Sequence, residues 1–482
     1  MGKEFYIDEH IDLIRKSSTE TDNYKSNQKL KNEGLTRFLN ICKLANEYMI
    51  SEFDSSNDDK ILDYNKKAMM GEEKERAYFL DKIKAFLKKS NLEHEQFPGW
   101  YVNLHEAIFH ENWGYHAVAE WLLMDNSQSA KIIGERVFYA CPNTGKLELM
   151  PQKISKARIE QLIKVLMFKS PEQRLDKGNA TVYLKDGSRI TIFTDKLTKE
   201  HTIIFRKYTV KRYNFEEQAA RGTIPSEFIP CLEAMVKMGF NVGFVGAPKT
   251  AKTTFLATWQ SYENPNLEGI QVETDPEIPW HIISPNSPII QFVVNKDRLK
   301  QIVEFIKRSD ADYVIAAEAR DVLSLKLIID TMKIGVRRCK FTYHQDDPML
   351  FFYDAATEIV NEFGGNLFAT SLNIAKSIDY MFEFIQLRDK SQKRLKAVYE
   401  MCFNHETLEV TAHEIVSYND KTDDWSYHYH FGKDKEKIGS FEDEKAMSRF
   451  KYLLEQLASE KPNTEETTFS PFVNKFYMKE GE

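Results

Sequence analysis

An apolar stretch, a short loop and a Lys-Thr pair form the first feature of this sequence that could do chemistry. The stretch covers residues 241–245, and the residues that follow it are Gly246, Ala247, Pro248, Lys249, Thr250, Ala251, Lys252, Thr253 and Thr254. The pattern predicts a strand, a tight loop and a helix start, where backbone N–H groups converge on phosphate oxygens. Lys252 would neutralise the β- and γ-phosphates of ATP, and the Thr253 hydroxyl would bind Mg²⁺. The sequence therefore predicts a Walker A phosphate loop.

Two positions of this loop depart from the usual pattern. Ala251 stands where glycine normally precedes the lysine, and Lys249 stands at another position where glycine is common. Alanine is the smallest replacement, but it disfavours a positive φ. A strand, loop and helix that carry Lys-Thr by chance remain an alternative as long as the loop is considered alone.

Three further ionisable residues follow apolar stretches of the strand type. Glu273 ends the stretch 269–273, Glu318 follows 314–317, and His344 follows 340–343. A buried strand that ends in an acidic residue after a phosphate loop is typical of a Walker B element, whose carboxylate holds Mg²⁺ through water or polarises the attacking water. The carboxyl ends of parallel strands meet at one sheet edge, where ligands of open α/β sheets bind. We therefore expect Glu273, Glu318 and His344 to lie there together.

The elements that must position these residues divide the chain into five predicted segments. Strand and helix patterns alternate in 226–431, as a parallel nucleotide-binding sheet requires, and mixed α/β patterns with an Asp-Gly turn fill 116–210. The segments are a charged helical extension (1–115), a smaller α/β domain (116–210), a linker (211–225), an ATPase domain (226–431) and a charged tail with one amphipathic helix (432–482). In the extension, Phe38, Ile41, Cys42, Ala45 and Tyr48 recur at helical spacing and predict a buried stripe.

Composition excludes several classes of protein. The net charge is −7 over 482 residues, so a protein that coats nucleic acid is not indicated. No apolar run reaches the roughly 20 residues of a membrane-spanning helix, and no signal peptide pattern opens the chain. The five cysteines are far apart and odd in number, with no CxxC pair, so neither a zinc site nor a disulfide framework is supported by spacing. We expect a cytoplasmic protein.

Taken together, the ordered motifs resemble the type II/IV secretion system ATPases, and especially the Tad/Flp pilus and conjugation branch. The resemblance covers about residues 120–430. It consists of several motifs in the family's order, which are Ile204 to Lys207, Gly222 to Pro225, the acidic box Val272 to Glu277, the Walker B element Val314 to Arg320, the histidine box Phe341 to His344, and the hairpin Ser377 to Met401. It implies a RecA-like P-loop NTPase domain preceded by a smaller α/β, PAS-like domain.

The resemblance also implies roles. The subunit would form a homo-hexamer, with ATP between the two domains and force passed to an inner-membrane platform of a pilus or secretion machine. Arg206 would reach the nucleotide, Glu273 and Glu318 would share water activation and Mg²⁺ organisation, and His344 would sense the γ-phosphate. Arg320 and the Arg337-Arg338 pair are weaker candidates for charge neutralisation, with ordinary surface or intersubunit salt bridges as the alternative. Membrane association would be peripheral, at the cytoplasmic face and through partners, without sequence-specific nucleic-acid binding.

Departures at the loops leave two other functions open. Besides Ala251, the chain has Ala317, Asp321 and the pair 345–346 where the family has other residues, although the ionisable groups are kept. We expect an active, slow ATPase. The alternatives are a ring subunit that binds nucleotide with little turnover, and an unrelated phosphate-loop enzyme such as a small-molecule kinase, for which no lid pattern is found.

Overall fold

A computed structural model describes residues 23–471 except 55–63, 65–66, 69–71, 125–126, 142–145, 169–174, 176, 185–187, 208–212, 275–276, 295 and 320–321. Residues 185–187 of the predicted Asp-Gly turn, and the motif residues Asp275 and Arg320, lie outside this part of the chain. The chain divides after Lys207 into two compact units.

The first unit begins with a helical cluster. Its helices are α1 (Asn23–Asp54), α2 (Glu73–Lys89) and α3 (Leu104–Asn112). The predicted stripe of α1 is confirmed, because Phe38, Ile41, Cys42 and Ala45 are each at most 4% exposed and pack with Phe79 and Ile83 of α2. An apolar face repeated every three to four residues thus forms a small core.

An antiparallel sheet completes the first unit. Its strands are β1 (Ser129–Ile133), β2 (Arg136–Ala140), β3 (Leu147–Lys153), β4 (Asn179–Tyr183), β5 (Arg189–Phe193) and β6 (Thr202–Arg206), in the order β3-β2-β1-β6-β5-β4. Buried and less buried residues alternate along most strands, and helix α5 (Lys156–Phe168) covers the buried face, while the short helix α4 (Ala119–Leu122) precedes the sheet. This is the smaller α/β domain that the sequence predicts.

The second unit is built on a ten-stranded sheet. Its strands are β7 (Val242–Val245), β8 (Gly269–Glu273), β9 (Ile289–Val293), β10 (Tyr313–Ala316), β11 (Lys340–Tyr343), β12 (Tyr380–Gln386), β13 (Lys393–Phe403), β14 (Val410–Asn419), β15 (Asp424–Tyr427) and β16 (Thr468–Phe469). The order is β15-β14-β13-β12-β7-β11-β10-β8-β9, and β16 pairs with β14. Strands β7 to β12 pair in parallel, whereas β13 to β16 extend the sheet in antiparallel pairs.

The strand order confirms the predicted RecA-like fold. Strand β7, which leads into the phosphate loop, lies between β12 and β11, and β11 separates it from the Walker B strand β10. Strands β7, β8, β10 and β11 are buried along their whole length because helices cover both faces. The helices are α6 (Phe215–Ala220), α7 (Ile229–Lys237), α8 (Lys252–Gln260), α9 (Trp280–Ile283), α10 (Lys296–Ile306), α11 (Val322–Lys333), α12 (Phe351–Phe363), α13 (Leu367–Ala375) and α14 (Lys433–Glu460).

Two segments are more structured than the sequence suggests. The predicted linker, 211–225, contains helix α6. A capping box between Asn214 and Glu217 begins this helix, and its Phe215 is fully buried. The amphipathic helix of the predicted tail is α14, which bends at Asp443 and places Phe450 in the same core as α7. Both segments are therefore parts of the second unit's hydrophobic core.

Within the described residues, no helix combines the length and the apolar character that crossing a bilayer requires.

Candidate functional site

Three predicted site residues lie at or just after the ends of parallel strands at one edge of the second unit's sheet. Glu273 ends β8, which pairs in parallel with β10 through Val272 and Ala316, so Glu273 and Glu318 lie at neighbouring strand ends. On the other side, β11 pairs in parallel with β7 through Tyr343 and Val245, which places His344 beside the start of the phosphate loop. The parallel register thus brings the predicted acids and histidine to the carboxyl edge.

The loop from Gly246 to Ala251 has an unusual backbone. Gly246 has φ +143°, and a Cβ at this position would collide with the carbonyl oxygen of Phe384, so the first loop position needs glycine. Lys249 and Ala251 also have positive φ, 67° and 77°. The chain therefore keeps the left-handed backbone expected of glycine at two positions that carry side chains. Helix α8 starts directly after Ala251, so its first N–H groups face the loop, as phosphate binding requires.

Replacing Ala251 by glycine is expected to stabilise the protein by about 0.5–1 kcal/mol. A left-handed alanine costs roughly 1–2 kcal/mol, from which the extra freedom of glycine in the unfolded chain subtracts about 0.4–1 kcal/mol. Denaturant titration measures the change in the free energy of unfolding. Ala247→Gly is the matched control, because the φ of Ala247 is not positive. This variant should therefore have a lower free energy of unfolding than the wild-type protein. Equal losses from both variants would contradict strain at Ala251.

A chain of hydrogen bonds joins Lys252 of the predicted phosphate loop to Glu318, the predicted Walker B acid. The Lys252 ammonium is buried and lies 2.8 Å from the carbonyl oxygens of both Gly246 and Ala247. It also lies 3.2 Å from Nδ1 of His344, whose Nε2 lies 2.9 Å from Oε1 of Glu318. Because an ammonium group can only donate, Nδ1 accepts and Nε2–H donates to the carboxylate. His344 therefore bridges the lysine and the acid.

Glu273 is held in a dry environment. It is 2% exposed, and its Oε2 accepts a hydrogen bond from the backbone N–H of Glu277 at 3.0 Å. Its Oε1 is buried without a hydrogen-bond partner among the described residues. Burial raises the pKa of Glu273 from its ordinary value of 4.5 to about 8, against the smaller opposing effect of the Glu277 N–H. A buried carboxyl with a pKa near neutrality is suited to accept a proton.

The residues at this edge suit a magnesium ion as well as a nucleotide. Mg²⁺ takes oxygen ligands and keeps several of its waters. Thr253 lies in the first turn of α8 and Glu318 follows β10. Oε1 of Glu273, which has no hydrogen-bond partner within the described part of the chain, offers a further carboxylate oxygen at the same edge. Thr253 and Glu318 remain the predicted magnesium ligands, the latter through water.

The arginine candidates lie elsewhere. Arg337 and Arg338 precede β11, so they lie at the amino edge of the sheet, opposite the phosphate loop. Arg337 pairs with Asp379 at 2.6 Å, and Arg338 binds Glu263 at 2.7 Å. These two arginines make salt bridges within the chain, whereas the predicted alternative was surface or intersubunit salt bridges. Arg206 ends β6 in the first unit and is exposed; its approach to nucleotide stays a prediction.

The contact between Lys252 and His344, which are 92 residues apart, was not predicted from the sequence. The pattern carried part of the signal, because β11 ends directly before His344 and its neighbour β7 ends directly before the loop that leads to Lys252. The pairing of β7 with β11 itself was not predicted.

Comparison with solved structures finds similar folds at low identity. They include the VirB11 ATPase of the Brucella suis type IV secretion system (15% identity, 58% of this chain and 94% of that chain, TM-score 0.32). They also include the pilus retraction motor PilT with bound ADP (11%, 71% and 91%, TM-score 0.44) and the Legionella pneumophila ATPase DotB (14%, 74% and 88%, TM-score 0.41). No protein-family model and no curated protein matches the chain. The fold assignment accordingly rests on the strand order itself, and the Tad/Flp branch stays a prediction.

Proposed function

We propose that this chain is an ATPase that hydrolyses ATP to power pilus assembly, protein secretion or conjugative transfer through a membrane-embedded machine. The observation that carries the proposal is the hydrogen-bonded chain from Lys252 through His344 to Glu318 at the mouth of the phosphate loop. In this chain Lys252 is the cation that would bind phosphate and Glu318 is the acid. His344 lies between them and can respond to a bound phosphate. The order of the sequence motifs supports the coupling to transport.

Each residue has a part in the proposed hydrolysis. The loop N–H groups and the Lys252 ammonium bind the β- and γ-phosphates, exchanging the carbonyl contacts of Gly246 and Ala247 for phosphate oxygens. Glu273 in its ionised form accepts the proton of the water that attacks the γ-phosphorus, and ADP is the leaving group. Glu318 orients His344 toward the phosphate. Mg²⁺ supplies neutralisation of phosphate charge when it is bound with the nucleotide.

Assembly and placement complete the proposal. A homo-hexamer would bring the exposed Arg206 toward a nucleotide, and an inner-membrane platform protein would receive the force at the cytoplasmic face. A hexamer mass in light scattering with ATP, lost when ATP is omitted or when the two units are expressed separately, supports this arrangement. A monomer under all conditions opposes it.

The second candidate function is a ring subunit that binds nucleotide with little turnover. The positive φ of Lys249 and Ala251 favours it, because backbone strain in the loop can misplace the N–H groups that stabilise the transition state. Stoichiometric ATP binding without phosphate release, with the membrane partner present, would support this candidate over the motor.

The decisive experiment measures Mg²⁺-dependent phosphate release by the full chain and by Lys252→Ala. Removing the ammonium is expected to abolish hydrolysis and to weaken ATP binding, because charge-assisted contacts to phosphate are lost. Lys437→Ala, an exposed lysine of α14, is the matched control and should behave as the wild-type protein. Hydrolysis that survives Lys252→Ala would refute the proposal.

A further inference from the structure

A cysteine and two histidines converge far from the phosphate loop. The ligand atoms of Cys402, His413 and His430 lie within 4.8 Å of one another, and all three side chains are half-buried. The cluster lies near the other edge of the sheet, since Glu400 pairs with Tyr380, which in turn pairs with Val242 at the start of β7. None of the three residues has a part in the proposed hydrolysis.

Strand register explains the convergence. Glu400 of β13 lies opposite His413 of β14, and Cys402 lies two residues further along β13, on the same face as Glu400. Cys402 and His413 are therefore diagonal neighbours on one face. The segment after β15 then lays His430 over His413, with ring centroids 3.5 Å apart and planes inclined by 10°. Three separate pieces of chain thus supply the three side chains.

An oxygen atom lies near Nδ1 of each ring. Nδ1 of His413 lies 3.3 Å from the Thr468 hydroxyl, and Nδ1 of His430 lies 3.4 Å from Oε1 of Glu400. Each Nδ1 thus lies near an oxygen, whereas Nε2 of neither ring has a hydrogen-bond partner among the described residues. A histidine whose Nδ1–H faces a carboxylate while Nε2 binds a cation is the usual arrangement around protein-bound metals.

A glycine makes room beside the cysteine. A Cβ at Gly432 would lie 2.8 Å from Oδ1 of Asp434, 3.0 Å from Oε1 of Glu400 and 3.2 Å from Sγ of Cys402. The ligand atoms of Asp434, Glu400 and Cys402 are also within 4.8 Å of one another. Glu400 is fully buried and accepts a hydrogen bond from the Gly432 N–H at 2.7 Å. Asp434 is the more accessible carboxylate: its Oδ2 is paired with the Lys435 ammonium at 2.5 Å, and its Oδ1 is the oxygen beside Gly432.

We propose that Cys402, His413 and His430 bind a zinc ion, with Asp434 turning in as the fourth ligand and Glu400 orienting His430. The two stacked rings separate on binding, so that a nitrogen lone pair of each points at the ion. One thiolate, two imidazoles and one carboxylate form a set that Zn²⁺ binds tetrahedrally. The side chains line an open pocket of about 400 Å³, so an ion can enter from solvent. The ion ties β13 and β14 to the start of α14, and α14 packs on the core of the second unit. Its role is to fix that helix.

Cobalt(II) titration of the full chain tests the site, because cobalt replaces zinc and is visible. The chain is prepared without a polyhistidine tag and stripped with a chelator. We expect one equivalent of cobalt to give a thiolate-to-cobalt charge-transfer band with tetrahedral d–d bands, and one equivalent of zinc to remove them. Cys402→Ser should abolish the charge-transfer band, and His413→Ala or Asp434→Asn should weaken binding by about 10-fold or more, since each removes a ligand.

Two matched controls separate this site from other sources of metal binding. Cys141→Ser removes a half-buried cysteine of the first unit and should leave the cobalt spectrum unchanged. Lys252→Ala should also bind cobalt as the wild-type protein does, so failure of the proposed ATPase function would not affect this result. A wild-type chain without the charge-transfer band, or a Cys402→Ser variant with an unchanged one, would overturn the proposal.

Zinc protection of the wild-type chain keeps the test independent of how the variants fold. Hydrogen exchange is compared with and without one equivalent of zinc. We expect slower exchange in β13, β14 and the first turns of α14, because a ligand that binds the native state lowers the population of its opened forms. Unchanged exchange in all three elements would contradict the proposal.

Discussion

Glu318→Gln is expected to lower the rate of ATP hydrolysis by about 100-fold or more while leaving ATP affinity within a few-fold of the wild-type value. Groups that position or transfer protons in the transition state contribute on the order of 10²–10⁴ in rate. The amide oxygen of glutamine can still accept the hydrogen bond from Nε2–H of His344, now 2.9 Å from the carboxylate. The variant therefore removes a charge while it keeps the shape of the site.

Single-turnover hydrolysis and equilibrium ATP binding measure the two effects separately. Glu444→Gln, which changes an exposed glutamate of α14, is the matched control and should leave both quantities unchanged. Parallel losses of binding and of rate would mean that Glu318 shapes the phosphate pocket instead of acting on the chemical step. An unchanged rate would remove Glu318 from the proposed mechanism altogether.

The sheet edge was predictable because parallel strands allow few arrangements. Glu273, Glu318 and His344 each follow an apolar stretch of strand length, and a parallel sheet must bring such positions to one edge. The capping box at Asn214 and Glu217 was equally readable, as an Asn followed three residues later by Glu, and would have shown that the predicted linker contains a helix.

Long-range pairing was the part that the sequence could not supply. Cys402, His413 and His430 have no recognisable metal-ligand spacing, and only the register of β13 with β14 and the return after β15 bring them together. The salt-bridge partners of Arg337 and Arg338 could likewise not be predicted from the sequence, because Asp379 and Glu263 lie on distant parts of the chain. Contacts of this kind depend on which strands pair, and local pattern is silent about that.

Glu273→Gln is expected to stabilise the second unit at alkaline pH while it removes hydrolysis. Burial raises the pKa of Glu273 to about 8 in the folded chain, against an ordinary value of 4.5. Because the folded pKa is the higher one, the stability that this carboxyl contributes is fully present below about pH 4.5 and is lost as the pH rises through about 8. Glutamine does not titrate, so the variant avoids that loss.

The expected gain therefore depends on pH. It should be close to zero near about pH 5, and above about pH 8 it should approach an upper limit of about 5 kcal/mol in the free energy of unfolding, at 1.36 kcal/mol per pKa unit. Glu273 is 2% exposed, so solvent screens little of this effect. Urea titrations followed by tryptophan fluorescence, with both proteins compared at the same pH, measure the gain.

Glu268→Gln provides the matched control for the pH dependence. Glu268 directly precedes β8 but is exposed, so its substitution should change the free energy of unfolding little at any pH. Adding Mg²⁺ with a nonhydrolysable ATP analogue should shrink the difference between Glu273→Gln and the wild-type protein, because a nearby cation favours the ionised carboxylate. A gain that is equal at acidic and alkaline pH would show that the introduced glutamine packs better for reasons unrelated to charge. A pH-dependent gain together with lost hydrolysis would mean that the chain tolerates a destabilising buried acid because the reaction requires it.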